Sequence, residues 1–226
     1  MPRPLTDEAI VLKAHNVGET DRFVVLLTRT HGRMTARATG ARKLLSHRGR
    51  GLLPLHRISV TWEQHSFGNT VTAAECLDAH AAAWSDPHAF SCAAQGIELL
   101  LKLTEDGYPL PEAYQITSDF LAACSGPHSP SVAALYALKL LKIFGYLPSG
   151  ATAPARTSPR LMKLIDASET LPFASAGRMA QLEGELASFL SSLLGSQLGV
   201  SLKSLPVSLA MSSGVTPICH VSGRAS

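Results

Sequence analysis

Through residue 80 the chain alternates apolar and polar positions with a period of two, and beyond it the apolar positions recur at helical spacing. Ile10 to Leu12 opens a β-rich run, and Phe23 to Thr28 follows after the turn-like Val17-Gly18-Glu19-Thr20-Asp21. His31-Gly32 is a hairpin signal. After it Met34, Ala36 and Ala38 alternate with Arg33, Thr35 and Arg37, which predicts an inward apolar set and two outward arginines on one strand. Ile58, Val60 and Trp62 alternate with Arg57, Ser59, Thr61 and Glu63 in the same way, and His65 to Asn69 closes a hairpin onto Thr70 to Leu77. Five strands, with a long Gly- and Arg-rich loop between the third and fourth, predict an OB-type β-barrel with a basic wall; periodicity alone leaves another small barrel open.

From Asp86 the period changes. Asp86-Pro87 supplies an N-cap and an N1 proline, and Phe90, Ala94, Ile97 and Leu101 mark one face of a helix that runs to Leu103. A second helix is predicted over Pro111 to Ala123, stopping before Gly126-Pro127. A third begins near Ser129-Pro130, carries Leu135, Leu138, Leu140, Leu141 and Phe144, and ends at Gly145. Residues 148 to 160, with Pro148, Gly150, Pro154 and Pro159, read as a loop. A long helix is then predicted from Ala176 to Leu194 through Met179, Leu182, Leu186, Phe189 and Leu193. The expected architecture is α+β: an N-terminal five-stranded OB-type β-barrel over residues 1–80, an α-helical domain over 81–211 packed as a bundle, and a flexible tail over 212–226.

Composition agrees with a folded chain, since 46% of the 226 residues are hydrophobic and 16% charged. No apolar run approaches the roughly 20 residues of a membrane span, and Met1 to Ile10 carries Pro2, Pro4, Asp7 and Glu8 where a signal peptide needs apolar residues. A soluble cytoplasmic protein is expected. Cys76, Cys92, Cys124 and Cys219 stand too far apart for a CxxC metal knuckle and are expected as buried thiols. The net charge of +3 becomes informative once divided: residues 1–80 hold 11 Lys and Arg against 7 Asp and Glu, and the remainder 9 against 10. Between Arg29 and Arg57 eight cations, seven of them arginine, occur with no acid. Such a stretch suits a polyanion.

Guanidinium groups pair bidentately with phosphate and are weakly hydrated, so an arginine-rich loop beside a barrel can track a nucleic-acid backbone without reading its sequence. Arg33, Arg37, Arg42, Lys43, Arg48, Arg50 and Arg57 are the candidate nucleic-acid-binding residues. Gly40, Gly49 and Gly51 serve either as ordinary turn residues or to fold the loop around a strand. Of the aromatics in residues 1–80, Phe23 and Trp62 are expected in the core, and Phe67 at a hairpin tip where a base can reach it. Catalytic motifs are missing: there is no GxSxG elbow, phosphate-binding loop or HExxH. Glu19 and Asp21 are expected to hold the turn through hydrogen bonds and local ion pairs. Two alternatives stay open on physics alone, an RNA-binding OB module and a metal-dependent nuclease whose site joins Glu19 and Asp21 to residues distant in sequence.

Gly18-Glu19-Thr20-Asp21-Arg22, Thr30-His31-Gly32-Arg33-Met34 and Gly40-Ala41-Arg42-Lys43, followed by Ser46, Arg48, Arg50 and Leu53-Pro54-Leu55, resemble in order and spacing the N-terminal pattern of the bacterial RecO DNA repair family. Gly96-Ile97-Glu98-Leu99, Phe144-Gly145-Tyr146-Leu147-Pro148 and Leu202-Lys203-Ser204-Leu205 are similar to its helical-domain landmarks. The resemblance implies a non-enzymatic mediator of repair and recombination, working at the nucleoid. It would bind single- and double-stranded DNA, anneal complementary strands, and act with RecR and the single-strand-binding protein to load RecA. It also implies recognition of that protein's acidic C-terminal tail, for which Lys139 and Lys142, on one edge of the apolar third helix, are the candidate partner-binding residues. Both lysines equally suit the exposed side of a core helix. Many family members carry a four-cysteine zinc knuckle after the Gly-Tyr-Leu-Pro position, whereas Ser149 to Gly177 contains neither cysteine nor histidine. No metal or other cofactor is expected, and Cys219-His220 is an isolated pair.

Overall fold

A computed structural model describes residues 3–43, 49, 51–124, 129–147 and 157–197. The tail from Ser212, the Leu202 to Leu205 landmark, Cys219-His220, Arg48 and Arg50 lie outside the described residues. Five strands, β1 (Leu5–Val17), β2 (Asp21–Thr28), β3 (Gly32–Ala38), β4 (Arg57–His65) and β5 (Gly68–Asp78), close a barrel in the order β1-β2-β3-β5-β4. This is the OB-like arrangement. All pairings are antiparallel except β3 with β5, where Ala36 faces Asn69 and Arg37 faces Thr70.

Strand β1 is longer than its short apolar run suggested because it serves two neighbours: Leu5 to Ile10 pair with β4, and Ala9 to Val17 with β2 across a bulge between Val11 and Lys13. The interior is filled by Ala9, Val11, Val24, Leu26, Met34, Ala36, Ala38, Ile58, Val60, Trp62 and Val71. Period-two alternation thus positions each strand's inner set. The outer side of β1 and β2 is apolar over part of its length. There Ile10, Leu12, Leu27 and the half-buried Val25 join the core of the helices.

The helices are α1 (Ala81–Ser85), α2 (Pro87–Leu103), α3 (Pro111–Ala123), α4 (Ser129–Ile143), α5 (Pro159–Ala167) and α6 (Glu183–Gln197), with a 3₁₀ segment over Phe173–Leu182. Asp86 caps α2 through His88 N at 2.9 Å, and Pro87 follows as its first residue. Its buried face is not the expected one. Phe90 is 40% exposed against Trp84, whereas Ala89, Cys92, Ala93, Gly96, Ile97, Leu99 and Leu100 are buried. Close approach to α3 and α4 sets this rotation, because a side chain at Gly96 would fall 2.3 Å from the Phe120 ring, which itself stacks on Tyr136. The third helix ends as predicted, with Tyr146 N bonded to Leu141 O and Gly145 N to Lys142 O.

Two further differences concern the later helices. Helix α5 begins inside the stretch expected as loop and continues beyond it; Ser158 caps it through Leu161 N, and Leu161 and Ile165 are buried four residues apart. The predicted long helix begins as the 3₁₀ segment, where the buried Ala176 and Met179 stand three apart and so share one face of a three-residue turn. Cys92 and Cys124 are buried with Sγ atoms 3.4 Å apart, but Cys76 is exposed, in the open second half of β5 beside His56.

Candidate nucleic-acid interface

The arginine-rich stretch divides into two sets. At the junction with the helices, Arg33 points outward as its alternation requires, yet towards protein. Its Nε lies 2.5 Å from Asp106 Oδ1, and Nη1 donates to Leu101 O (2.9 Å) and to Thr104 O. Thr35 Oγ1 adds a bond to Asp106 Oδ2. The expectation of a basic wall is therefore corrected for Arg33: a carboxylate and the carbonyls ending α2 surround its guanidinium. Arg57 stands near Glu8 (Nη1 to Oε2, 3.4 Å), whose carboxylate also accepts from Tyr114 Oη at 3.1 Å. Burial, followed by the Glu8 charge, pushes the Tyr114 hydroxyl up to about 12.

Arg37, Arg42 and Lys43 form the other set, and all three are exposed. Asp21 organises them. Its carboxylate accepts Gly40 N (2.9 Å), Arg37 Nε (2.8 Å) and Nη2 (2.6 Å), and Thr20 Oγ1 (3.0 Å). The Gly40 amide first, and then Arg37, hold Asp21 down at about 2. Arg42 closes the same corner, its backbone N on Thr20 O and its Nη1 on Gly18 O at 2.8 Å. Lys43 lays its stem over Gly40, with Cδ and Cε 3.6 Å from where a β-carbon would stand. From below, Arg22 Nη1 donates to Gly49 O and Leu52 O, and any side chain at Gly49 would lie 1.8 Å from Ala41 O. Gly49 and Leu52 are thus tied to β2, and Gly49 lies against Ala41.

The turn thereby acquires the role expected of its acids, carried by Asp21 alone; Glu19 is exposed. With four donors on it, Asp21 is poorly suited to ligate a catalytic metal. Phe67 is fully exposed at the β4–β5 tip. Trp62 is in the core as expected, but Phe23 is not. It belongs to neither hydrophobic cluster and stands on the outer surface beside His15, with ring centroids 5.6 Å apart and planes 12° from parallel.

Lys139 and Lys142, the candidate rim of a peptide pocket, are engaged within the bundle. Lys139 is 8% exposed, donates to Glu169 O at 2.7 Å and lies over the Phe173 ring; burial pushes its ammonium down. Lys142 pairs with Glu169 Oε2 at 2.9 Å. Together they clamp the α5 to 3₁₀ connection.

An OB-like barrel locked to a helical bundle is the class of protein these elements define. The family models described as "Recombination protein O N terminal" and "Recombination protein O C terminal" match residues 1–80 and 84–153 respectively. In that order they cover more than half of the chain, which belongs to the RecO family. Relatives named DNA repair protein RecO include that of Myxococcus xanthus strain DK1622, 32% identical over 145 residues, 63% of this chain and 59% of the relative. The Nocardioides sp. strain JS614 protein is 33% identical over 147 residues, 63% of this chain and 60% of the relative. That of Cutibacterium acnes is 30% identical over 153 residues, 63% and 61%. The chain spans about three fifths of the length of these curated relatives.

Proposed function

We propose that this chain is a DNA repair and recombination mediator that binds single- and double-stranded DNA at the open end of its barrel. It anneals complementary strands there and helps to load the RecA recombinase onto DNA coated by single-strand-binding protein. The observation that carries this reading is the exposed set Arg37, Arg42 and Lys43, gathered on two turns pinned by Asp21. Arg48 and Arg50 follow them in the sequence. Family membership supports the same assignment, through the repair and recombination names of the family and its relatives.

The mechanism is charge neutralisation. Two strands repel through their phosphates; a surface that binds both screens that repulsion, and pairing of the bases then supplies the free energy. No nucleotide hydrolysis is involved. The helical bundle is the platform for RecR and for the C-terminal tail of the single-strand-binding protein, and no bound cofactor takes part.

Annealing of complementary oligonucleotides, with and without single-strand-binding protein, tests the activity. A companion variant tests the site: Arg37, Arg42 and Lys43 together replaced by Ala. Each phosphate contact on a single strand contributes about 0.7 to the slope of log affinity against log salt, so the variant is expected to lose about 2 from that slope. Unchanged slope and affinity with a normal circular dichroism spectrum would move the DNA site elsewhere.

A further inference from the structure

Strand β2 is apolar on both faces, and its outer residues meet different fates. Leu27 and Val25 go under the helices, while Phe23, next on the same face, joins neither core and is half-buried beside the exposed His15. Register places His15 of β1 directly opposite Phe23 on one side and Arg37 of β3 on the other. Lys13, opposite Val25, lies two residues from His15 and therefore on the same outer face. The result is a short row across three strands. Two near-parallel rings stand at its centre, with one exposed cation beside each.

A cross-strand aromatic pair of this kind stabilises a sheet, but one that stays outside both cores and is flanked by the exposed Lys13 and Arg37 also has the chemistry of a nucleobase seat. We propose that His15 and Phe23 form a stacking platform for the bases of single-stranded DNA, with adjacent phosphates passing over Lys13 and Arg37. The proposal rests on the DNA-binding reading above and adds a contact to the bases. Its consequence is strand selectivity: every base has a π-face to offer, whereas a duplex has already stacked its bases on one another. The outer-face position also ties the seat to the basic corner, because Asp21, which holds Arg37, lies two residues from Phe23 on β2.

The test compares three labelled probes of equal length: oligo-dT, an abasic strand with the same phosphates, and a duplex. Each is titrated by fluorescence anisotropy against wild type, Phe23→Ala, Phe23→Tyr and His15→Ala. Phe23→Ala is expected to weaken oligo-dT about tenfold, in line with losing one stacked base, and to leave the abasic strand and the duplex unchanged. His15→Ala should give a smaller loss of the same pattern, and Phe23→Tyr should retain wild-type binding. An equal loss on oligo-dT and on the abasic strand would overturn the platform, since Phe23 would then serve only the fold. So would oligo-dT binding indifferent to Phe23. In both cases a steep salt dependence of the wild type would leave the DNA-binding reading standing. Wild type that binds none of the three probes would overturn the reading and the platform together. Oligo-U bound more tightly than oligo-dT, with the same Phe23 dependence, would transfer the seat to RNA and overturn its assignment to DNA.

Discussion

Arg33 and Arg37 stand four residues apart on one face of one strand, and the fold treats them oppositely. At the junction end, Arg33 meets a carboxylate and two carbonyls of the helical side and is 19% exposed in its side chain. At the open end, Arg37 is held by Asp21 and remains 54% exposed. The same residue type thus ties two layers together in one place and presents charge in the other. What differs is cover: Leu27 and Val25 draw the helices over one half of the outer surface, and among the described residues Phe23 joins neither core while His15 and Arg37 stay exposed. A run of like charges in a sequence is therefore not one site but a supply of cations that apolar neighbours allocate.

The largest break in this comparison is expected at Gly32. Its φ of +75° disfavours any side chain, and a β-carbon there would fall 1.7 Å from Tyr108 O. Gly32→Ala should therefore cost roughly 4 kcal/mol, combining left-handed strain with separation of the α2–α3 connection from the barrel. Urea unfolding measures it, and a cost below about 1 kcal/mol would show that the junction yields readily.

Arg33→Ala should come next, at roughly 1–2 kcal/mol, because it removes the donor from the acceptors at the end of α2, whereas the half-exposed Asp106 keeps Thr35 and water. The comparison is sharpened by pairing it with Arg37→Ala. The former is expected to lower stability and leave DNA affinity nearly intact, the latter to lower DNA affinity and reduce the salt slope by about 0.7. If both variants lose DNA binding equally, the two ends of β3 are not functionally distinct.

How much of this was legible depends on which force set each feature. Alternation within β3 and β4 exposed the barrel wall, since one face is apolar and the other polar. Asp86-Pro87 and Gly145 marked helix ends because caps are local chemistry. Phe23 reads as core for a reason equally physical: in Phe23-Val24-Val25-Leu26-Leu27 both faces are apolar, so no pattern separates the residue that stays outside both cores from those the helices bury. Arg33 escaped likewise, as its partner Asp106 is distant in sequence and meets it only through the packing of α2 against the barrel. For Lys139 and Lys142, neighbouring cations on an apolar helix read the same whether they face solvent or a carboxylate such as Glu169.

The smallest effect is expected from acid, and it too separates the two ends. Beside Arg57, His80 is nearly buried, with Nδ1 3.8 Å from Asp78 Oδ2 and Nε2 without a hydrogen-bond partner; His56 lies close by. Burial is the main force on both imidazoles and pushes each below the usual 6.5, with Asp78 opposing it. A group whose pKa is lower in the folded state binds fewer protons there than when unfolded. Stability is therefore complete above about pH 6.5 and is lost as pH falls towards the folded values. The slope is at most ~1.4 kcal/mol per pH unit for each histidine. Asp21 at the open end responds in a separate window, between its usual 3.8 and about 2, so mild acid should loosen the junction while the basic corner stays pinned. Thermal midpoints from pH 7.5 to 5 should fall for wild type and fall less for His80→Asn, which keeps a residue tolerant of the left-handed backbone at φ 44°. Equal slopes for the two proteins would remove His80 as the source, and an acid-induced loss of the Gly40 to Asp21 hydrogen bond above pH 5 would place the weak point at the open end instead.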